Sequence, residues 1–221
     1  MPWIQQLRSF NWVEIGSIVL GAYLLGCFTT GYYLIRRRTG QDVRNLGSGN
    51  VGARNIGRLF GWKGFALTLA GDFAKGACAV WVAGYFTPGA PWLALPMLAV
   101  VVGHIWPVQL RFRGGKGIAT SLGALVAYDV HLAFAFLALF VCLLALMRRT
   151  VLPCLLAFAF LPWISFYLDR DGTNLSSSSL KVVSLLVLAA VIWIAHRKNL
   201  AREISGLMER YLPPKPKPHD L

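Results

Sequence analysis

Apolar runs close to the length of a bilayer crossing follow one another along the whole chain, separated by short basic or glycine-rich links. A hydrocarbon core about 30 Å thick is crossed by about 20 apolar helical residues. In that medium each backbone N–H and C=O must find its partner inside the protein. Only 14% of the residues are charged, where a soluble domain carries roughly 25%, and 56% are hydrophobic. The pattern predicts an all-α membrane protein, a polytopic helical bundle with no soluble second domain.

The first span is expected over residues 13–35, stopping at Arg36, Arg37 and Arg38. A polar loop follows to about Arg58. The second span covers 59–86, with Asp72 and Lys75 inside it, and a turn at 87–91 leads to a third span over 92–110. The stretch 118–147 admits two readings. As one straight helix it is about 45 Å long, too long for the core. The polar sequence Tyr128-Asp129-Val130-His131 can instead divide it into two. Later spans are expected over 151–168 and 180–195, with a polar loop at 169–179 between them and a basic Pro/Lys tail at about 211–221. Two helices in the divided stretch give seven transmembrane helices, with the N-terminus outside and the C-terminus cytoplasmic. All basic links then lie on the cytoplasmic side, as the positive-inside rule requires. One long helix gives six spans and puts Arg148, Arg149 and the His196 region on the wrong side.

The net charge of +13 sits mainly in the short links. Orientation and anionic lipid account for it, and no nucleic-acid-binding motif is present, so no nucleic-acid partner is expected. Cys27, Cys78, Cys142 and Cys154 lie in apolar runs without CxxC spacing or a neighbouring histidine. They read as small buried hydrophobes. No metal and no cofactor are expected.

Three clusters interrupt the apolar pattern. The first is Gly47-Ser48-Gly49-Asn50-Val51-Gly52-Ala53-Arg54-Asn55, continuing to Arg58. Its glycines favour a tight loop, and its Ser, Asn and Arg side chains suit a phosphate. The second runs from Gly103-His104 through Pro107 to Phe112-Arg113-Gly114-Gly115-Lys116-Gly117-Ile118-Ala119-Thr120. Here glycines bracket a lysine just before an apolar helix, which is expected to aim backbone donors and a helix N-terminus at an anion. The Walker A spacing is missing. In the third, His196 and Asn199 stand at i and i+3 on one helix face, and Arg202 extends the row. Asp72 and Lys75, also i and i+3, read first as a structural ion pair. There is no GxSxG elbow, no HExxH, and Gln109 stands where an HxxxxD box needs its acid.

In order and spacing these clusters resemble the bacterial acyl-phosphate:glycerol-3-phosphate acyltransferase family of the PlsY type. The resemblance covers residues 16–206 and includes Asp72-Phe73-Ala74-Lys75-Gly76. The third cluster matches least well, with Ala195, Glu203 and Met208 departing from the family pattern, and Arg54 stands where threonine is usual. The resemblance implies one integral-membrane acyltransferase domain over 1–221 in the bacterial inner membrane, its active site facing the cytoplasm. It implies acyl transfer from acyl phosphate to the sn-1 hydroxyl of glycerol 3-phosphate, giving lysophosphatidic acid and phosphate for phospholipid synthesis. Membrane lipid and an upstream enzyme that makes acyl phosphate are the implied partners. Ser48, Arg58, Lys116, His196 and Asn199 are the expected catalytic residues. Gly49, Asn50, Asn55, His104, Gly114, Gly115, Gly117 and Thr120 are the expected substrate-binding residues. The rival readings are a transporter for a phosphorylated solute and a non-catalytic lipid-binding relative. Clusters on one membrane face and the lack of a visible repeat disfavour transport.

Overall fold

The computed structural model describes residues 12–86, 90–170 and 175–211. Most of the turn expected at 87–91, the 171–174 part of the polar loop and the tail beyond Tyr211 lie outside them. Every regular element among the described residues is helical: α1 (Trp12–Cys27), α2 (Thr30–Thr39), α3 (Ala53–Phe86), α4 (Ala94–Ile105), α5 (Ile118–Tyr128), α6 (Val130–Met147), α7 (Val151–Leu168) and α8 (Leu175–Tyr211). Four helices, α3, α6, α7 and α8, are long and apolar enough to cross a membrane, and the bent pair α1 and α2 makes a fifth candidate. α4 and α5 are apolar but have only 12 and 11 residues. At 1.5 Å per residue they extend about 18 and 16 Å.

The stretch 118–147 is two helices. α5 ends at Tyr128, Asp129 is extended, and its carboxylate accepts from the N–H of His131 (2.9 Å) and of Leu132 (3.2 Å). That is an N-cap for α6, and it satisfies donors a helix start leaves open. Lys181 of α8 reaches Asp129 at 2.6 Å and Asp169 at 3.2 Å, so the α5–α6 turn, the end of α7 and the start of α8 are tied together. Three expected boundaries shift. α3 starts at Ala53, so Arg54, Asn55 and Arg58 stand on helical turns, and Phe60 and Gly61 then kink the helix, Gly61 at φ 71°. Helix α8 takes in Ser176–Ser179, expected as loop, and runs on past residue 195.

The expected single first span is broken. α1 stops at Cys27, α2 starts at Thr30, and the two axes meet at 42°. The buried pair Asp72 and Lys75 of α3 mends both ends of this break. Lys75 Nζ donates to the carbonyls of Gly26 (3.0 Å) and Phe28 (2.6 Å). Asp72 Oδ1 accepts from the N–H and hydroxyl of Thr30, at 3.2 and 3.0 Å. A cation therefore meets the C-terminal carbonyls of one helix and an anion the N-terminal amide of the next, as the helix dipoles favour.

Helices approach closely where glycine removes a side chain, as is common between membrane helices. A methyl group on Gly76 of α3 would lie 2.1 Å from the Thr120 carbonyl oxygen, and one on Gly123 of α5 would lie 2.0 Å from that of Phe73. Gly26 and Gly103 join α1 to α4 in the same way. The main core gathers Leu125, Phe136, Leu155, Phe158, Leu185 and Ile192 from α5 to α8. Trp163 and Phe134, 70% and 67% exposed, point outward, as lipid-facing side chains do.

Candidate active site

The first loop is shaped from within by Asn55. This side chain is buried; its Oδ1 accepts from the Ser48 N–H (2.9 Å), and its Nδ2 donates to the carbonyls of Asn50 (2.9 Å) and Leu46 (3.2 Å). Asn50 Oδ1 accepts from the Gly52 N–H at 3.1 Å and tightens the turn before α3. Ser48, Arg54 and Arg58 are left exposed, while Gly49 and Asn50 are half-buried. The next link is made by Arg44. Its guanidinium pairs with Asp42 at 2.5 Å and donates through Nη1 to the Leu110 carbonyl at 2.7 Å, which ties the first loop to the second. The Arg44 hydrogen bond holds the Asp42 carboxyl below the usual carboxylate range.

The second loop folds back over the end of α4. Arg111 and Phe112 adopt left-handed φ values of 53° and 58°, a conformation non-glycine residues rarely hold. The N–H of Gly114 then donates to the Ile105 carbonyl and that of Gly115 to the His104 carbonyl. These two amides are engaged with the helix end, contrary to the expectation that they face an anion. The need for glycine there is close contact: a methyl group on Gly115 would sit 2.0 Å from His104 Nε2. His104 is buried, and its Nδ1 lies 2.8 Å from Lys75 Nζ, so the loop rests on the same polar cluster that mends the first span. Gly117, at φ 84°, turns the chain into α5, whose Thr120 is buried with no hydrogen-bond partner for its hydroxyl among the described residues.

The third cluster closes on the second through α8. A methyl group on Gly117 would lie 2.9 Å from Ile192 Cδ1. One turn later His196, also buried, has its Nδ1 2.9 Å from the Ile192 carbonyl oxygen. A carbonyl only accepts, so Nδ1 carries the proton and Nε2 keeps the lone pair in the neutral ring. Asn199 is half-buried on the same face and Arg202 is exposed.

Lys116 stands where the three clusters converge. Burial, followed by the charges of Arg202 and Arg54, pushes its ammonium down to about 8. The ammonium has no acidic partner among the described residues. Asp42 is held by Arg44, Asp72 by Lys75, and Asp129 and Asp169 by Lys181. Glu203 accepts from the amides of Val151 and Leu152. A half-buried lysine flanked by arginines and lacking a carboxylate creates a local positive field that favours an anion. No group of three or more His, Cys, Asp or Glu among the described residues is placed to hold a metal. Two apolar clefts of about 420 and 480 Å³ border α1, and neither includes a residue of the three clusters.

Three groups escaped the sequence reading. The Asp42–Arg44 pair had a local signal, an aspartate two residues before its amide partner, as in an Asx turn. The capping role of Glu203 and the contact from Arg54 to Thr150 had none, because their partners lie 51 to 96 residues away. Gly115→Ala tests the packing of the second loop. The added methyl forces the loop off His104, and turnover is expected to fall by about a hundredfold, the effect of a 1 Å misplacement. Activity of membrane-inserted protein checks this.

A family model described as glycerol-3-phosphate acyltransferase matches residues 16–206. Glycerol-3-phosphate acyltransferase 1 of Desulfitobacterium hafniense is 43% identical over 193 residues, 87% of this chain and 92% of that protein. The glycerol-3-phosphate acyltransferase of Bordetella pertussis is 35% identical over 212 residues, 95% of this chain and 98% of that one. Crystal structures of PlsY, an integral membrane glycerol 3-phosphate acyltransferase, superpose with a TM-score of 0.74 in both the glycerol 3-phosphate and the lysophosphatidic acid forms. They are 32% and 30% identical and share 87% of this chain and 92% of theirs. On sequence along almost its full length and on fold, the chain belongs to the glycerol-3-phosphate acyltransferase family of the PlsY type and is an integral membrane acyltransferase.

Proposed function

We propose that this protein transfers a fatty acyl group from acyl phosphate to the sn-1 hydroxyl of glycerol 3-phosphate, releasing lysophosphatidic acid and phosphate. The observation that carries this reading is the convergence of Lys116, Arg54 and Arg202 without an acid among the described residues to neutralise them. Donor and acceptor both bear phosphate, so their approach requires concentrated positive charge. Phosphate is already a good leaving group, so the protein's task is to place two anions and stabilise the charge that develops between them.

In this reading Lys116, with the amides at the start of α5, holds one phosphate, and Arg58, Ser48 and Asn50 grip the substrates at the first loop. Asn199 and His196 orient glycerol 3-phosphate, leaving the proton of its sn-1 hydroxyl directed at the donor phosphate. The hydroxyl oxygen attacks the acyl carbonyl carbon, the bond from that carbon to the phosphate oxygen breaks, and the departing phosphate takes the hydroxyl proton. No protein base is needed. Asn55, His104, Gly114 and Gly115 act by shaping the loops, since their polar groups are engaged inside the protein. The acyl chain stays between helices in the bilayer.

The same reading makes the chain a single catalytic unit. We assign seven crossings, with the short α4 and α5 also entering the bilayer, an N-terminus outside and the clusters facing the cytoplasm of a bacterial inner membrane. Supply of acyl phosphate requires an enzyme that makes it. Purified protein given acyl phosphate and glycerol 3-phosphate is expected to release phosphate and lysophosphatidic acid in equal amounts. Phosphate release that ignores glycerol 3-phosphate, or the absence of both products, overturns the proposal.

A further inference from the structure

The three-residue link between α6 and α7 is held from two sides by residues that belong to different walls of the site. Arg54, in the first turn of α3, donates through Nη1 to Thr150 Oγ1 at 2.7 Å. Glu203, on the part of α8 beyond His196, places its two carboxylate oxygens 3.3 Å from the N–H groups of Val151 and Leu152. Thr150 is the N-cap residue of α7, yet its side chain makes no cap bond to its own helix. A threonine there ordinarily satisfies one of the open amides behind it. Here its oxygen is turned to Arg54, and a carboxylate from another helix takes over the capping. An anion at a helix start is also favoured by the dipole.

The consequence for the site is mechanical. Helix α8 carries His196, Asn199 and Arg202 on its distal half. Trp193 Nε1 bonds the Leu155 carbonyl at 3.1 Å below that segment, and Glu203 fastens it above. The segment between these two links is the one that presents the third cluster to Lys116. The first cluster reaches the same link through Arg54. We infer that Glu203 is a positioning residue for acyl transfer: by capping α7 it fixes the distal half of α8, and with it His196 and Asn199, against the first loop through Thr150. This rests on the assignment of glycerol 3-phosphate to the third cluster made above.

Kinetics and amide exchange separate this role from a general contribution to folding. Glu203→Ala is expected to raise KM for glycerol 3-phosphate about tenfold, with kcat within about twofold, since what is lost is placement of the acceptor substrate. Glu203→Gln keeps a carbonyl acceptor and is expected to return KM to within about threefold of the parent. Thr150→Val removes the acceptor for Arg54; combined with Glu203→Ala it should cost less than the product of the two single effects, because both cut one connection. Hydrogen exchange at Val151 and Leu152 should accelerate in Glu203→Ala, a readout independent of activity. An unchanged KM in that variant, or unchanged exchange at those amides, overturns the inference. Faster exchange in a protein whose parent form cannot acylate glycerol 3-phosphate removes the proposed function and, with it, the positioning role, while leaving the cap itself in place.

Discussion

Lys116→Ala is expected to lower kcat/KM for acyl transfer by about a thousandfold, the upper range for removing one donor aimed at developing negative charge. The same change should leave the fold intact or slightly more stable. The reason is the sign of its pKa shift. Burial and the neighbouring Arg202 and Arg54 depress the ammonium to about 8. A lysine with a lowered folded-state pKa opposes folding while it is charged, and that opposition fades as pH rises through about 8 toward its unfolded value. The charge is therefore carried at a cost to the fold, as expected of the anion-binding role proposed for it. For activity the sign is reversed. In the proposed role transfer requires the ammonium, so kcat/KM in the parent should fall on the alkaline side with an apparent pKa near 8. Lys116→Arg stays charged throughout; its rate should be lower because the fork fits differently, but the alkaline limb should move upward or vanish. A thermal melt and a pH–rate profile on the three proteins decide the matter. Parent-like turnover in Lys116→Ala, or an unmoved limb in Lys116→Arg, would remove Lys116 from the phosphate site.

Legibility in the sequence followed the range of the interaction. The apolar runs made the helical membrane fold readable, and the polar interruption at 128–131 together with the charge of the links made the split of 118–147 readable, while the N-cap that Asp129 supplies there emerged only from the structure. The i, i+3 row of His196 and Asn199 was visible because α8 keeps it on one face. The break between α1 and α2 was not visible. Beyond Glu14 no charge interrupts residues 13–35, the Thr29-Thr30 pair at the break is too mild a signal to divide the run, and the groups that stabilise the break, Asp72 and Lys75, come from α3. Gly114 and Gly115 were recognisable as important but for a different reason: glycine next to lysine suggests an amide cradle, whereas here it marks the approach of the chain to His104. That approach depends on the fold of the second loop and on where Lys75 holds the ring, neither of which a local pattern encodes.

The second large effect concerns stability. Asp72→Ala is expected to destabilise the protein by about 3–5 kcal/mol, the range for removing one partner of a buried ion pair, and to lower the melting temperature by roughly 10 °C for a chain of this size. Side-chain exposures of 3% for Asp72 and 4% for Lys75 leave water little access to replace the lost partner. Asp72 also accepts from the Thr30 N–H and hydroxyl, so its loss opens the start of α2 at the point where the first span bends. Lys75→Met should be comparably harmful, because it strands the carboxylate and frees the Gly26 and Phe28 carbonyls. Asp72→Ala combined with Lys75→Met should be milder than the sum of the two, since neither charge is then left alone. Activity should fall along with stability: Lys75 also contacts His104, on whose ring the Gly115 turn rests, so a loosened pair lets the loop bearing Lys116 drift. Melting curves in detergent for the two single variants and the double variant test the coupling. If Asp72→Ala melts with the parent, the pair is dispensable to the bend, and the break between α1 and α2 must be held by packing alone.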